Sequence, residues 1–430
     1  MTRPICILCK GSRMLCGEPR CSLLEGIYYR IPTPSLTRTE IQGSSPPAVF
    51  VGRYGYPDVS VGPVLPPVRM DNAERLNDPT QWFGRPIEEI VSDRFSLIRG
   101  NTRLKVKTQI KLGPMSDPQS IIKEMDSKKT ELSLSPTGRR ILETSQLLAM
   151  GTHSVDVDMR LIRLPSAARP SISSFTAPYG PSADIRSATL LGNPRIPNCV
   201  QALTSDTDAK VTTAVSELFK AGIPVRHIQQ LLAIGLLGKK GYRRLVPTRW
   251  SITATDDMLG KQVAKDILLH PQIDHIEVYW DQYIGNHFYL ILLPYSWHFE
   301  MVETWLKGAF WASEPSIMVD YEGPRGRKGY ASQITGAYYT ARLEVLDHLS
   351  RRRRQAACLI YREITDEYWA PLGVWVIGET VKSALKKKPL IFEDPDFAVR
   401  FVTRRVIGKT WHTRSKLLKQ YKTQRRIEDY

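Results

Sequence analysis

Four cysteines near the start of the chain, Cys6, Cys9, Cys16 and Cys21, are separated by two, six and four residues. Four soft thiolates at such short spacing can close a tetrahedron around one Zn²⁺, and a site whose ligands all come from protein is structural because no coordination position is left for substrate. An iron–sulfur cluster is the alternative metal centre, with zinc favoured. Two disulfides or four unrelated thiols are the plainer readings; a reducing compartment disfavours the first and the clustering disfavours the second. Gly11 and Gly17 relax the backbone where it must turn, and Lys10, Arg13 and Arg20 offset the negative charge of a four-thiolate centre.

A second concentration of polar chemistry runs from His275 to Arg342. His275, Asp281, Asn286 and His287 flank one turn, and Asp320, Tyr321, Glu322, Arg325 and Arg327 follow, interleaved with Gly323, Gly326 and Gly329. Asp281, His287 and Glu322 are the candidate catalytic groups if the chain is an enzyme, with Arg249 or Arg325 as an anion clamp acting on a nucleotide, an ADP-ribose-like ligand or a DNA phosphodiester. A mobile, charged glycine loop is the equal alternative. Tyr338 and Arg342, four apart on a helix, can stack and pair with a nucleotide or serve as core and surface. Arg53 and Tyr54 lie in Phe50–Tyr56, where glycines and rings suit stacked bases or simply a turn over a core. Asp256 and Asp257 precede the apolar face Leu259, Val263 and Ile267, so Asp256 reads as an N-cap in preference to a metal ligand. No Walker loop, Rossmann fingerprint, nucleophile elbow, His-Glu-x-x-His motif or familiar DNA-binding helix signature is present, so whether the chain is an enzyme stays open.

The elements that must position these groups are of mixed type. Val211, Val215, Leu218 and Phe219 share a helical face closed by Gly222 and Pro224, and Ile228, Leu231 and Leu232 mark a second short helix. Ile276–Trp280 and Phe288–Leu293 read as strands of an antiparallel hairpin turning at Gly285-Asn286. Tyr339, Leu343 and Leu346 give a further helix ending in Arg351–Arg354, while Pro165–Cys199 reads as a long surface excursion. Without repeated βαβ units the fold class is α+β: a small amino-terminal metal knuckle on a mixed helix and antiparallel-sheet body. The expected divisions are a knuckle over 1–25, a loop-rich region over 26–240, an α+β region over 241–410 and a basic tail over 411–430, with the main boundary between Gly235 and Pro247.

The 430 residues carry 60 Lys and Arg against 43 Asp and Glu, a net charge of +17 that attracts polyanions, nucleic acid foremost. The longest apolar stretches are far shorter than the roughly 20 residues that cross a bilayer, so no membrane partner is expected. The first residues lead into the cysteines instead of an apolar signal core, which places the protein in the cytoplasm.

Several blocks then carry a likeness. Ile5-Cys6-Ile7-Leu8-Cys9-Lys10-Gly11 with Cys16-Gly17 and Cys21, Pro46–Pro57, Val61-Gly62-Pro63, Asn193–Pro197, Leu245–Thr253, Gly285–Phe288, Asp320–Gly323 and Tyr338-Tyr339 together resemble the archaeal Nre family of DNA-repair proteins over nearly the whole chain. The resemblance implies archaeal origin, a role in responses to DNA damage and, as in many members, a carboxy-terminal motif for the sliding clamp PCNA.

The end of the chain fits that expectation. Thr403 to Arg426 holds nine Lys or Arg and no Asp or Glu, which suits either phosphate binding or a solvated basic helix. Gln424, Ile427 and Tyr430 match Gln-x-x-Ile-x-x-aromatic, the start of a clamp-binding peptide, in which Ile427 and Tyr430 act as apolar plugs and Gln424 bonds at the pocket rim. The usual second aromatic is missing, which predicts weaker binding. The leading expectation is a DNA-binding, clamp-recruited repair accessory protein in which Arg53, Tyr54, Arg249, Arg325, Arg327, Tyr338 and Arg342 meet nucleic acid or nucleotide. An adaptor that only bridges the clamp to another protein is the third reading.

Overall fold

The computed structural model describes residues 5–11, 15–28, 36–56, 58–107, 122, 125, 127, 129, 131–164 and 170–423. The chain divides into two compact units, one of residues 24–259 and one joining 1–23 to 260–430. The division falls inside the helix Thr248–Ile267.

The unit of residues 24–259 is built on a seven-stranded sheet. Its strands are β1 (Glu40–Ser45), β2 (Val49–Val51), β3 (Asp58–Leu65), β4 (Ile98–Lys107), β5 (Glu131–Ser133), β6 (Val155–Leu161) and β7 (Ser182–Leu190). The order is β1-β6-β7-β4-β3-β2 with β5 against β4; β4 and β7 are parallel and the other pairs antiparallel. Strand β6 shows why: Val155, Val157, Met159 and Leu161 are buried and alternate with Asp156, Asp158 and Arg160, the period-two pattern of a strand with one wet face. The helix Pro136–Met150 covers the sheet through Ile141, Leu142 and Leu148, and starts where Ser135 accepts from the Gly138 amide at 3.0 Å. Helices Val211–Lys220 and Val225–Ala233 form as expected. Pro165–Cys199 is no mere excursion, since it contains β7, an interior strand whose Ala183 and Ile185 are buried. Asp256 is not an N-cap either. The helix begins two turns earlier at Thr248, and Asp256 lies buried within it, accepting from Gln229 Nε2 at 2.7 Å.

The second unit holds a six-stranded sheet of β8 (Ile276–Tyr283), β9 (Asn286–Leu293), β10 (His298–Trp305), β11 (Ser316–Glu322), β12 (Ala357–Ile364) and β13 (Leu390–Phe392). The order is β11-β10-β12-β9-β8-β13, with β10 and β12 parallel. The β8–β9 hairpin forms, but its turn is Ile284-Gly285, and Asn286 is the first residue of β9. Both turn residues have positive φ, 47° and 62°, which a two-residue turn matching the sheet twist demands. Asn286 holds the uncommon Ile284 conformation by donating to the carbonyls of Tyr283 and Ile284.

Helices Gly336–Arg352 and Trp375–Lys386 cover the face of this sheet that carries Tyr279 and Phe299. Helices Pro395–Arg405 and Lys416–Thr423 cover the other, packing Ala398, Val399, Val402, Leu417, Leu418 and Tyr421 on Val278, Ile291, Val302 and Leu359. The basic segment expected as a tail therefore contains a core helix. Two mixed sheets with helices bear out the α+β class. Among the described residues no three Cys, His, Asp or Glu side chains stand together as a group able to hold a metal ion, so a metal knuckle is not part of the observed architecture. No helix among them is long and apolar enough to cross a membrane.

Candidate nucleic-acid interface

In the unit of residues 24–259, two segments far apart in sequence meet. The Val51 amide donates to Thr248 Oγ1 at 2.9 Å, which sets the loop after β2 against the first turn of Thr248–Ile267. Tyr56 then packs edge-on against Trp250 with ring centroids 5.1 Å apart. Arg53 lies over the ring of Tyr54 at 4.8 Å, and Tyr54 is 72% exposed. Arg249 lies 3.4 Å from the centroid of Phe175. Arg53, Tyr54 and Arg249, expected separately from sequence, are thus carried by one pair of abutting segments together with Trp250.

Beneath that loop the cation–ring pairs continue inward. Arg99 covers Phe50 at 4.7 Å, Phe50 meets Tyr179 edge-on at 5.0 Å, and Arg94 lies between Tyr179 at 4.2 Å and Trp82 at 5.2 Å. Arg94 is fully buried, and burial pulls its guanidinium below the usual range. It donates to the carbonyls of Pro178 and Leu76 at 2.8 and 2.6 Å and to Asn77 Oδ1 at 2.9 Å, so two segments hang from one side chain. Gly180 makes the approach possible: a Cβ there would stand 2.2 Å from the Leu97 carbonyl oxygen.

In the other unit the proposed catalytic set does not converge. Glu322 pairs with Phe299, whereas His287 pairs with Glu363, whose other neighbour is Thr304. His287 therefore sits three strands across and five residues along from Glu322, about 20 Å away at ordinary strand spacings. Asp281 accepts from Ser383 Oγ at 2.6 Å and meets Lys387 at 2.8 Å, clamping sheet to helix. Exposed His275 pairs with Glu393 at 3.4 Å. Buried Asn286 accepts from Arg362 Nε at 3.1 Å.

What does converge is Asp320, Glu322, Arg327, Tyr338 and Arg342. Arg342 and Glu322 form an ion pair at 2.9 Å with both side chains buried, so the surface-cation reading of Arg342 falls away. Arg327 meets Asp320 at 3.1 Å and donates to the carbonyls of Tyr321, Gly329 and Tyr330, so the glycine loop is tied down by its own arginine. Arg325 stands exposed on that loop. Tyr338 lies under Arg327 at 5.3 Å, and burial pushes its phenol well above the usual value. Thr335, next to this group, has φ 69° and ψ −135°, a strained conformation for a β-branched residue.

Cys6, Cys9, Cys16 and Cys21 line one small pocket with Trp311, Glu18 and Arg20. Lys10, at the end of the short Cys6–Cys9 helix, donates to the Ile334 carbonyl at 3.2 Å and lies over Trp305. The donor chemistry suits a structural zinc, although the thiols are not drawn into a ligating group. Gln424, Ile427 and Tyr430 lie outside the described residues.

The family model described as archaeal Nre, N-terminal, matches residues 15–312, and its C-terminal counterpart matches residues 322–430. The chain belongs to the archaeal Nre family. A relative from Archaeoglobus fulgidus named DNA repair protein NreA is 35% identical over 94% of this chain and 95% of its own length. DNA repair protein NreB of the same organism is 34% identical over 96% and 97%. DNA repair protein NreA of Haloferax volcanii is 35% identical over 84% and 82%. No solved structure matches the chain. Two of the Nre-like blocks, Pro46–Pro57 and Leu245–Thr253, are the segments that abut at Arg53 and Trp250. Sequence reasoning missed Arg94, Arg99, Trp82 and Phe175 in this Nre chain, because each lies in a segment with no motif of its own.

Proposed function

We propose that this Nre protein is a DNA-repair accessory factor that binds DNA through the arginine–aromatic face around Arg53, Tyr54, Arg249 and Trp250. Its carboxy-terminal residues recruit it to the sliding clamp, and a zinc ion ties Cys6, Cys9, Cys16 and Cys21. The observation that carries the reading is the meeting of two basic, aromatic segments on one unit of a chain with net charge +17. Guanidinium groups supply charge-assisted hydrogen bonds to phosphates, and ring faces supply stacking. Relatives named DNA repair proteins point the same way.

Replacing Arg53 and Arg249 by Glu should weaken DNA binding and shallow its dependence on salt by about 0.9 for each phosphate that the protein no longer neutralises. Fluorescence anisotropy across a salt series is the measurement. Unaltered affinity and slope would remove this face from the reading.

A further inference from the structure

A second basic, aromatic surface lies on the unit that joins residues 1–23 to 260–430. Helix Pro395–Arg405 buries Ala398, Val399 and Val402 and turns Phe397, Arg400, Arg404 and Arg405 outward. Phe397 is 58% exposed. Arg400 covers its ring at 4.5 Å, and one turn further on Arg405 covers the half-buried ring of Phe401 at 3.6 Å. Trp280 of β8, itself 37% exposed, meets Phe401 with centroids 5.6 Å apart. Exposed Lys388 lies two residues before β13, whose Leu390 pairs with Val278, two residues before Trp280 on β8. Lys409 donates to the Thr403 carbonyl at 2.8 Å, at the carboxy end of the helix. Of the neighbouring carboxylates, Asp396 pairs with Lys422, Asp394 accepts from the Asp396 amide as the helix cap, and exposed Glu393 lies 3.4 Å from His275.

We propose that this strip, Trp280, Phe401 and Phe397 with Lys388, Arg400, Arg404 and Arg405, is a docking surface for single-stranded nucleic acid. The inference deepens the DNA-binding reading and rests on it. Ring faces flanked by guanidinium planes accept bases whose own faces are free, a condition met by an unstacked strand and not by a duplex. The density of cations argues against an apolar protein partner, since the centres of protein interfaces are depleted of charge. Phosphates pair with the lysines and arginines, and bases lie on Trp280, Phe401 and Phe397 in turn.

The test is anisotropy of the full chain with a fluorescein-labelled oligothymidylate of about 20 nucleotides and with a duplex of equal length, a size above the site sizes of common strand-binding folds. Phe397→Ala should lower single-strand affinity roughly five- to a hundredfold and leave the duplex unchanged, while Phe397→Tyr keeps the ring and the affinity. Arg404→Gln with Arg405→Gln should reduce the single-strand salt slope by about 0.7 for each phosphate left without its cation. Phe397 is exposed, and an unchanged melting temperature of the variant confirms that the fold is intact. Unchanged single-strand binding by Phe397→Ala overturns the inference, as does equal weakening on both substrates. Abolished clamp binding with DNA affinity intact would make the strip a protein-docking face and overturn it too. If Arg53→Glu with Arg249→Glu weakens duplex binding while Phe397→Ala changes nothing, the reading above stands and this inference falls. A chain that binds no DNA removes both.

Discussion

At the scale of single residues, the second unit is held by charges taken out of water. Arg342–Glu322 at 2.9 Å and Arg362–Glu303 at 2.5 Å are both buried pairs, for which losing one partner costs about 3–5 kcal/mol because the other charge is stranded. His348 offers a sharper test. It packs edge-on against Tyr279, with Glu277, Asp347, Arg351 and Arg352 around it, and burial followed by the Arg352 charge pushes it down to about 4. Burial also pushes Glu277 up, but its bonds from Arg352 at 2.5 and 2.6 Å and from Tyr279 at 2.7 Å outweigh this and leave it below the usual range. Both folded values are depressed, so in acid the unfolded chain binds protons more readily. The His348 contribution is complete above its unfolded value near 6.5 and is lost as pH falls from there to about 4. Urea unfolding should show a loss of about 1–2 kcal/mol between pH 7 and pH 5, and His348→Phe should flatten that interval. An unchanged slope in the variant would assign the loss to other groups. Arg352, four residues on along the same helix, could be read from sequence, but the burial against Tyr279 of β8 that leads the shift could not.

At the scale of elements, legibility followed periodicity. Helices Val211–Lys220 and Val225–Ala233 and the β8–β9 hairpin were readable because their apolar residues repeat at the helical or strand period. Strand β7 hid among Pro, Ser and Gly, and its two buried neighbours in the sheet, not its own composition, make it a strand. The start of Thr248–Ile267 hid for the opposite reason: its first turns bury Ser251, Thr253, Thr255, Asp256 and Asp257, so an apolar stripe begins only near Leu259. The site was legible in part. Arg53, Tyr54 and Arg249 could be chosen by residue type, but the catalytic set failed because spacing along a hairpin does not reveal which end of a sheet each residue reaches. The cysteine segment is where chemistry speaks louder than periodicity. If the four thiols around the Trp311 cavity hold zinc, freshly purified reduced protein should contain one equivalent by elemental mass spectrometry, and Cys9→Ala should lose it. Sub-stoichiometric zinc and iron in the unaltered protein would refute the metal.

At the scale of the whole molecule, the basic segment near the carboxy terminus has to be divided between packing and recruitment. Helix Lys416–Thr423 is not a tether: Leu417, Leu418 and Tyr421 are buried. Its amino end is capped by Glu300 of β10, which accepts from the amides of Lys416 and Leu417 at 2.8 and 3.0 Å and from the Ser415 hydroxyl. Lys416 lies over Tyr321 at 4.6 Å and Lys422 pairs with Asp396, so reversing these charges disturbs the body as well as any binding to DNA. Recruitment and stability should therefore separate at residue 423. Deleting 424–430 should leave the thermal midpoint unchanged and abolish binding to the sliding clamp. Ile427→Ala with Tyr430→Ala should do nearly the same, since each apolar plug contributes roughly 1.5–3 kcal/mol before ordering costs. Deleting 416–430 should instead lower the thermal midpoint sharply, because three buried side chains and two of the three donors to a buried carboxylate leave together. Calorimetry with purified clamp beside a thermal melt reads both quantities on the same samples, and clamp affinity that survives loss of 424–430 would refute recruitment through these residues.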